Sequence, residues 1–371
     1  MIFFSKKGLV ISGVLLMPFF AAAQTAVNAN GSNLNAIPTA VSFLTISPDS
    51  RSGAMGDAGV ALSPDANSTY WNPSKLAFIE SSDVASLSYS PWLRNLVPDI
   101  SLSYLSYAHK VDDRNSIGFS MRYFDYGSVQ STGLQDQDQG TFTPNEFSID
   151  GSFARKFGEN LSLGLTLRYI HSNISKAFTS SSQEGSANAV AADVSMYYKT
   201  ASGDDSQFAF GTDISNIGSK IQYSTASPAE YLPTNLKIGG ANTWNVDDAS
   251  TITLTLDLNK LLVPSVANSD VSVPAGIFQS FSDVGAAEEF KEIYYSAGAE
   301  FWYNKAFALR GGYYFENEDT GGRHYLTLGV GFKYSDYGFD FSYLAASQQN
   351  SALANTLRFT LTANFGSTKD Q

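Results

Sequence analysis

The chain of 371 residues carries 35 acidic against 23 basic side chains, a formal net charge of −12, and contains no cysteine. So few Lys and Arg exclude a phosphate-binding nucleic-acid surface, and the missing cysteines exclude disulfides, thiol catalysis, Cys-ligated metal and lipoprotein attachment. Charged residues make up only 16% and aromatics 13%, against about 25% charged in soluble domains, and with a slightly negative mean hydropathy this excludes a bundle of membrane helices and fits strands with one oily and one polar face.

In chain order, the first residues read as a secretion signal over 1–23. Lys6 and Lys7 supply the positive start, Gly8 to Phe20 the apolar stretch, and Ala21-Ala22-Ala23 the small residues ahead of a cleavage expected before Gln24. A spanning anchor is the competing reading, but the run is shorter than the roughly 20 residues a crossing needs and lacks a positive flank behind it. Thr25 to Thr39 is a polar, Asn-rich, flexible lead. Between residues 40 and 80, Gly and small residues crowd into SRSGAMGDAGVALSPDANSTYWNPSKLA, Ser50 to Ala77, without sustained alternation. This predicts a compact, irregular plug with short helical turns, so that 24–82 forms lead and hatch.

From Val84 a two-residue alternation begins and continues to the end. In LSLGLTLRY, Leu161, Leu163, Leu165, Leu167 and Tyr169 share one face, and Ser162, Gly164, Thr166 and Arg168 the other. STITLTLDLN from Ser250, HYLTLGVGFKY from His324 and TLRFTLTANF from Thr356 repeat the pattern. Fourteen such segments lie near 84–90, 100–109, 116–126, 146–157, 161–171, 188–199, 207–216, 235–244, 250–259, 293–303, 306–315, 324–334, 337–346 and 354–365. Their length, about 9–11 residues, is that of a tilted membrane-crossing strand.

The connections alternate short and long. The short ones hold Asp112-Asp113-Arg114, Gly158-Glu159-Asn160, Gly203-Asp204-Asp205, Asp247-Asp248, Asn304-Lys305 and Ser335-Asp336, which are hairpin residues. The long ones run near 127–145, 172–187, 217–234, 260–292, 316–323 and 347–353. Short periplasmic turns and long outer loops mark outer-membrane barrels. The expected fold is therefore all-β: a transmembrane antiparallel barrel over 83–366, with a tail at 367–371, both termini periplasmic and the long loops extracellular. A soluble β-sandwich also alternates but has no need of alternating loop lengths, and no fixed-period repeat supports a solenoid.

The plug segment ISPDSRSGAMGDAGVALSPDANSTYWNPSKLA, Ile46 to Ala77, resembles the N-terminal signature of FadL-type outer-membrane proteins, carried here by Arg51, Gly53, Met55, Gly56, Ala58, Gly59, Asp65, Ala66, Tyr70, Asn72, Pro73 and Leu76. That resemblance implies a fourteen-stranded barrel with a hatch. Within the superfamily the chain most resembles the PorV family of the type IX secretion system of Bacteroidota. The carriers are Thr39 to Ala61, Ser68 to Glu80, Ser88 to Lys110 and Ser116 to Gly127. The resemblance implies a shuttle without catalytic residues or cofactor. Such a protein takes cargo from a very large translocon barrel by recognising its folded C-terminal signal domain, and carries it to the surface sortase complex that anchors it to lipopolysaccharide.

The loop from Lys260 to Glu292 is the candidate contact surface, because a long outer loop should be polar unless its apolar residues have a partner. It holds Leu261, Leu262, Val263, Val266, Val271, Val273, Ile277, Phe278, Phe281 and Phe290, and a short helix is expected over 283–293. Packing on itself in the barrel mouth is the competing reading. Trp71-Asn72-Pro73 reads as a buried corner seating the hatch in preference to a gate for a hydrophobic ligand, with Pro73 fixing a turn. Inward Arg122, Arg168 and Arg358 are expected to pair with Asp150, Asp193, Asp213, Asp257 or the plug. The loops at 127–145 and 172–187 read as polar and mobile. Asp136 and Asp138 lack the remaining spacing of a calcium loop, so a solvated loop is favoured over a metal site. His109, His171 and His324 are scattered, no H-E-x-x-H or G-x-S-x-G occurs, and no catalytic or metal residue is expected. A transporter of hydrophobic small molecules such as long-chain fatty acids is the second functional reading, and a lipopolysaccharide deacylase a distant third.

Overall fold

The computed structural model describes residues 37, 39–92, 99–132, 138–174, 186–200, 205–224, 228–265, 271–346 and 355–366. The signal reading at 1–23, most of the lead, the tail at 367–371, Asp136 and Val266 lie outside the described residues.

Backbone alternation dictates the wall. Its strands are β1 (Asp83–Pro91), β2 (Ser101–Lys110), β3 (Asn115–Asp125), β6 (Asn145–Phe157), β7 (Leu161–Asn173), β8 (Ala187–Lys199), β9 (Ser206–Gly218), β10 (Asn235–Asn245), β11 (Ser250–Leu261), β12 (Ile293–Tyr303), β13 (Phe307–Phe315), β14 (His324–Tyr334), β15 (Tyr337–Ala346) and β16 (Thr356–Phe365). Every end falls within two residues of its expected place. Each strand pairs with its chain neighbours, and β1 closes on β16 from Asp83↔Phe365 to Tyr89↔Phe359, giving a fourteen-stranded barrel. Closure leaves no strand edge to face hydrocarbon. In the two-residue turn between β12 and β13, Asn304 and Lys305 both take positive φ, and Ala306 N–H donates to the Tyr303 carbonyl at 3.0 Å, the geometry that suits the right-handed strand twist.

Burial is inverted relative to a water-soluble sheet. Leu163, Leu165 and Leu167 are 44%, 48% and 65% exposed, whereas Ser162, Thr166 and Arg168 on the opposite face are buried. The same inversion holds for Leu254 and Leu256 against Thr253, Thr255 and Asp257, and for Leu326 and Leu328 against Thr327. A continuous exposed apolar belt of this kind is not tolerated in water, so the medium around the wall is hydrocarbon. No helix among the described residues is long and apolar enough to cross a membrane; the strands do it.

Two expectations need correction. The loop near 127–145, read as polar and mobile, contains an ordered hairpin of β4 (Val129–Thr132) and β5 (Asp138–Phe142). Val129 pairs with Phe142 and Gln130 with Thr141, and the end of the QDQDQG run supplies the first residues of β5. The loop at 260–292 holds two helices, α3 (Val273–Gln279) and α4 (Ala286–Lys291). α4 lies inside the expected 283–293 segment. α3 went unread because Gly276 interrupts it, although Ser272 followed by Pro274 is a helix-start signal.

The plug fills the lumen as expected. It consists of a 3₁₀ turn at Ser42–Thr45, the single helical turns α1 (Ser50–Gly53) and α2 (Ser68–Trp71), and a 3₁₀ helix at Pro73–Phe78. Asp49 caps the second by accepting from Ser52 N–H at 3.0 Å. Asn72, extended ahead of Pro73, caps the last by accepting from Ser74 N–H at 3.2 Å.

Candidate functional site

Three regions carry the functional residues: the hatch, the lumen above it, and the loop over the outer wall. The hatch is bonded around much of the circumference. Arg51 gives Nε and Nη2 to the two oxygens of Glu300 on β12 at 3.0 and 2.8 Å, and Nη1 to Asp65 at 3.1 Å. Glu300 is held from its other side by Arg310 at 2.7 Å, which also pairs with Asp340 at 2.5 Å. On β11, one oxygen of Asp257 accepts from Gly59 and Val60 N–H at 2.7 and 2.9 Å. Arg358 on β16 pairs with Asp57 at 3.0 Å, and Tyr325 O–H donates to the same carboxylate at 2.6 Å. Ser162 Oγ donates to the Ser74 carbonyl at 2.7 Å.

Backbone approach adds a steric lock. Gly56 sits at φ +70°, and a Cβ there would lie 2.5 Å from the Tyr313 carbonyl oxygen; a Cβ on Gly312 would lie 2.1 Å from Gly56 N. Two glycines face to face let hatch and wall meet. At Gly53 a Cβ would meet the Arg358 guanidinium at 2.3 Å.

Trp71-Asn72-Pro73 forms a buried corner. Trp71 Nε1 donates to Asp49 at 2.6 Å, and Asn72 Nδ2 donates to the Val60 and Met196 carbonyls at 3.1 and 3.0 Å. Burial pushes the Asp49 carboxyl up to about 6. The buried Lys75 donates to the Gly59 carbonyl at 2.7 Å, and burial pushes its ammonium down to about 8. Tyr70 stacks edge-on with Trp71 and lies under two cations, Arg122 and Lys237, each 4.5 Å from the ring centre.

The inward arginines therefore differ. Arg168 bridges Asp150 and Asp193 at 2.7 and 2.9 Å, and Arg358 reaches the hatch, both as expected. Arg122 also meets the plug, through a carbonyl and an aromatic ring in place of a carboxylate. It donates to the Leu44 carbonyl at 2.7 Å and lies over Tyr70, with no carboxylate in ion-pair range among the described residues. Asp213 faces Lys237 at 3.7 Å, and Asp257 serves the hatch amides. Sequence reasoning missed Glu300, Arg310, Asp340 and Asp57. The first three stood out only as charges at inward strand positions, a signal that gives the face but not the partner.

Above the hatch, a cavity of about 340 Å³ is lined by Tyr70, Trp71, Tyr294 and Tyr314 together with Lys237 and Arg323. Beyond it, the 260–292 loop splits the expected contact set. Leu262 and Val263 are buried and Leu261 is half-buried beside the cavity, so these three do not form an outer contact face. Leu262 stays tied to the wall: its N–H donates to the Thr234 carbonyl at 2.8 Å, one step beyond the Asn235↔Leu261 pair at the end of β11. Ile277 is half-buried, whereas Phe278, Phe281 and Phe290 are 77%, 50% and 69% exposed. Part of the loop is thus packed against the protein and part is exposed. The histidines stay apart: His109 Nδ1 lies 2.8 Å from Asp83, and His171 Nδ1 the same distance from Asn188.

A family model for the type IX secretion system protein PorV matches residues 28–268. No curated protein matches the chain. Among solved structures, the Pseudomonas putida toluene transporter TodX is 11% identical over 85% of this chain and 98% of its own, with a TM-score of 0.51. The Ralstonia pickettii toluene transporter TbuX is 12% identical over 85% and 98%, TM-score 0.48, and a Pseudomonas aeruginosa FadL homologue 11% identical over 86% and 99%, TM-score 0.45. At such identity the likeness to TodX is one of fold.

Proposed function

The chain belongs to the PorV family of the type IX secretion system, and from that premise we propose that it binds the C-terminal signal domain of secreted cargo at the translocon and shuttles it to the cell-surface attachment complex. The coarser statement, an outer-membrane component of a type IX secretion system, follows from family and fold together. The finer reading places both termini in the periplasm and the long loops outside, with translocon, cargo signal domain and sortase complex as partners. No side chain of this protein has a catalytic role in it.

The observation that carries the proposal is Phe278. It is 77% exposed on α3, and α3 is held from below: Tyr231 O–H donates to the Val271 carbonyl at 2.8 Å, and Gly276 rests against Tyr231 and Pro264. A large apolar ring presented on a supported helix is the form of a contact hot spot. The firmly bonded hatch supports a binding protein over a channel.

Transport of a hydrophobic small molecule is the second reading. It is favoured by the four aromatic rings in the otherwise largely polar cavity above the hatch and by the TodX-like fold. Against it stands the wall: the β3–β6 ladder is continuous from Asn115↔Arg155 to Asp125↔Asn145, so it offers no lateral exit there. Deletion of the coding gene tests the shuttle. Signal-bearing proteins should then stay unprocessed and off the surface. Their arrival there, mature and attached, would end the reading, while a selective loss of growth on long-chain fatty acids would favour transport.

A further inference from the structure

The outer wall carries a feature that neither the hatch nor the cargo reading uses. Lys260 follows Leu254, Leu256 and Leu258 at the same outward parity of β11, so the register points it at lipid. It pairs with Leu236 on β10 and Ile293 on β12, and Leu258 one step below pairs with Ile238 and Tyr295. An ammonium on the lipid face of a barrel is destabilising. Here α4 folds down over the outside to neutralise it: Lys260 reaches Glu289 at 2.9 Å and also Glu292. The roof is tied further by Ser265 N–H to Asp283 at 2.6 Å and by Lys291 to Asp319 at 2.8 Å.

Between this roof and the wall lies a groove of about 360 Å³, lined by Leu236, Ile238, Leu258, Ile293, Phe281 and Phe290, with Asn259, Lys260 and Glu289 as its polar lining. We propose that the groove holds one acyl chain of an ammonium-bearing membrane lipid from the leaflet at the long-loop end of the barrel. Three observations select this occupant. The floor, Ile238 and Leu258, is the top of the exposed stripe Ile252, Leu254 and Leu256, so the groove is continuous with the hydrocarbon-facing belt. An extended peptide would find no backbone to pair with, because β10, β11 and β12 are fully laddered to each other along this stretch, and amides left unpaired in an apolar groove are strongly disfavoured. The polar end keeps one open acceptor: Glu289 Oε1 is buried without a partner among the described residues, while Lys260, which also lines the groove, is already doubly paired. A headgroup ammonium can donate to that oxygen, whereas a headgroup with no cationic group leaves it unpaired. Phe278 lies off the groove, which leaves it to the protein partner.

The test uses the full-length mature protein in phosphatidylethanolamine nanodiscs doped with phosphatidylethanolamine bearing a diazirine midway along one acyl chain. After illumination, label on Ile238, Leu258 and residues 281–293 should exceed that on Leu326 and Leu328, outward residues that are 58% and 59% exposed and have no roof, by several-fold. Leu258→Trp, which fills the groove from its floor, should abolish the excess and leave Leu326 and Leu328 labelled as before. A phosphatidylglycerol probe with the same chain should label the groove several-fold less. Equal labelling of groove and open wall overturns the proposal, as does an excess that survives Leu258→Trp or equal labelling by the two headgroups. A photo-crosslinking residue at Phe290 in native membranes gives the competing answer: capture of a protein in place of lipid would also overturn it.

Discussion

The hatch and the α3–α4 loop are both irregular segments seated on the barrel wall, one from inside and one from outside, and they are held by opposite strategies. The hatch spreads its anchors over β7, β11, β12 and β16, with carboxylates, amides and hydroxyls each engaged separately. α4 is centred on one outward cation with two carboxylates closing over it, and its further tie from Lys291 to Asp319 is a solvent-exposed pair. Inside, the wall is polar and any inward Ser, Thr or Asp can serve as an anchor. Outside, the wall must be apolar, so a polar anchor exists only where charge is cancelled completely. The hatch has many buried anchors, whereas the loop backs its one buried cation with weaker, more exposed ties.

The largest effect should therefore come from Lys260. Lys260→Met leaves Glu289 and Glu292 facing each other on an apolar wall, and breaking a buried pair by removing one partner costs about 3–5 kcal/mol. We expect α4 to lift, read as rapid proteolysis within 281–293 while the barrel keeps its sheet content. Adding Glu289→Gln and Glu292→Gln to Lys260→Met should restore protection, because the unpaired charges are gone. Protection lost equally in the triple variant would mean that the triad does not seat the roof.

The hatch should yield less to a single change. Arg51→Ala removes three charge-assisted bonds to Glu300 and Asp65, but Glu300 keeps Arg310, so we expect a loss nearer 1.5–3 kcal/mol and a hatch that stays in place. Protease protection of residues 40–80 and single-channel conductance measure it. Full opening on this one substitution would contradict the distributed anchoring and revive the transport reading.

What the sequence disclosed follows the same division. Periodicity reads which face a side chain takes, so the wall, its ends and the inward arginines were all visible. The hatch was visible because its backbone needs Gly and Asn-Pro at fixed places, as Gly56 against Gly312 and the Asn72 cap demonstrate. Partnership was not visible. Nothing local to Glu300 names Arg51, 249 positions away, and nothing in β11 says that Lys260 will be covered from outside. Leu262 and Val263 were misassigned to the contact face for the same reason: apolar character gives burial, and only tertiary structure says against what.

A smaller effect is electrostatic. Burial lifts the Asp49 carboxyl from 3.8 to about 6, so the folded hatch holds that proton better than the unfolded segment does. The contribution is complete below the unfolded value and is lost as pH rises through about 6. Protection of the hatch should accordingly show a component that falls over this window, and Asp49→Asn should flatten it while retaining the bond from Trp71. An unchanged profile in the variant would assign the pH dependence to another group.

The smallest effect on stability should accompany the sharpest effect on function. Among the described residues no anchor comparable to that of Lys260 holds Phe278, which is 77% exposed, and surface substitutions of this kind stay within about 0.5 kcal/mol. Phe278→Ser should therefore leave heat resistance in detergent and acyl-chain labelling of the groove unchanged. Yet a buried aromatic anchor in an interface is commonly worth 2 kcal/mol or more, so recovery of translocon or cargo signal domain in pull-downs from native membranes should fall several-fold. Phe281→Ser and Phe290→Ser should do the reverse, reducing lipid labelling and sparing capture. Should Phe278→Ser leave both partners fully recovered, α3 is not the contact, and the distinction drawn here between a protein-facing crest and a lipid-facing roof fails at the crest.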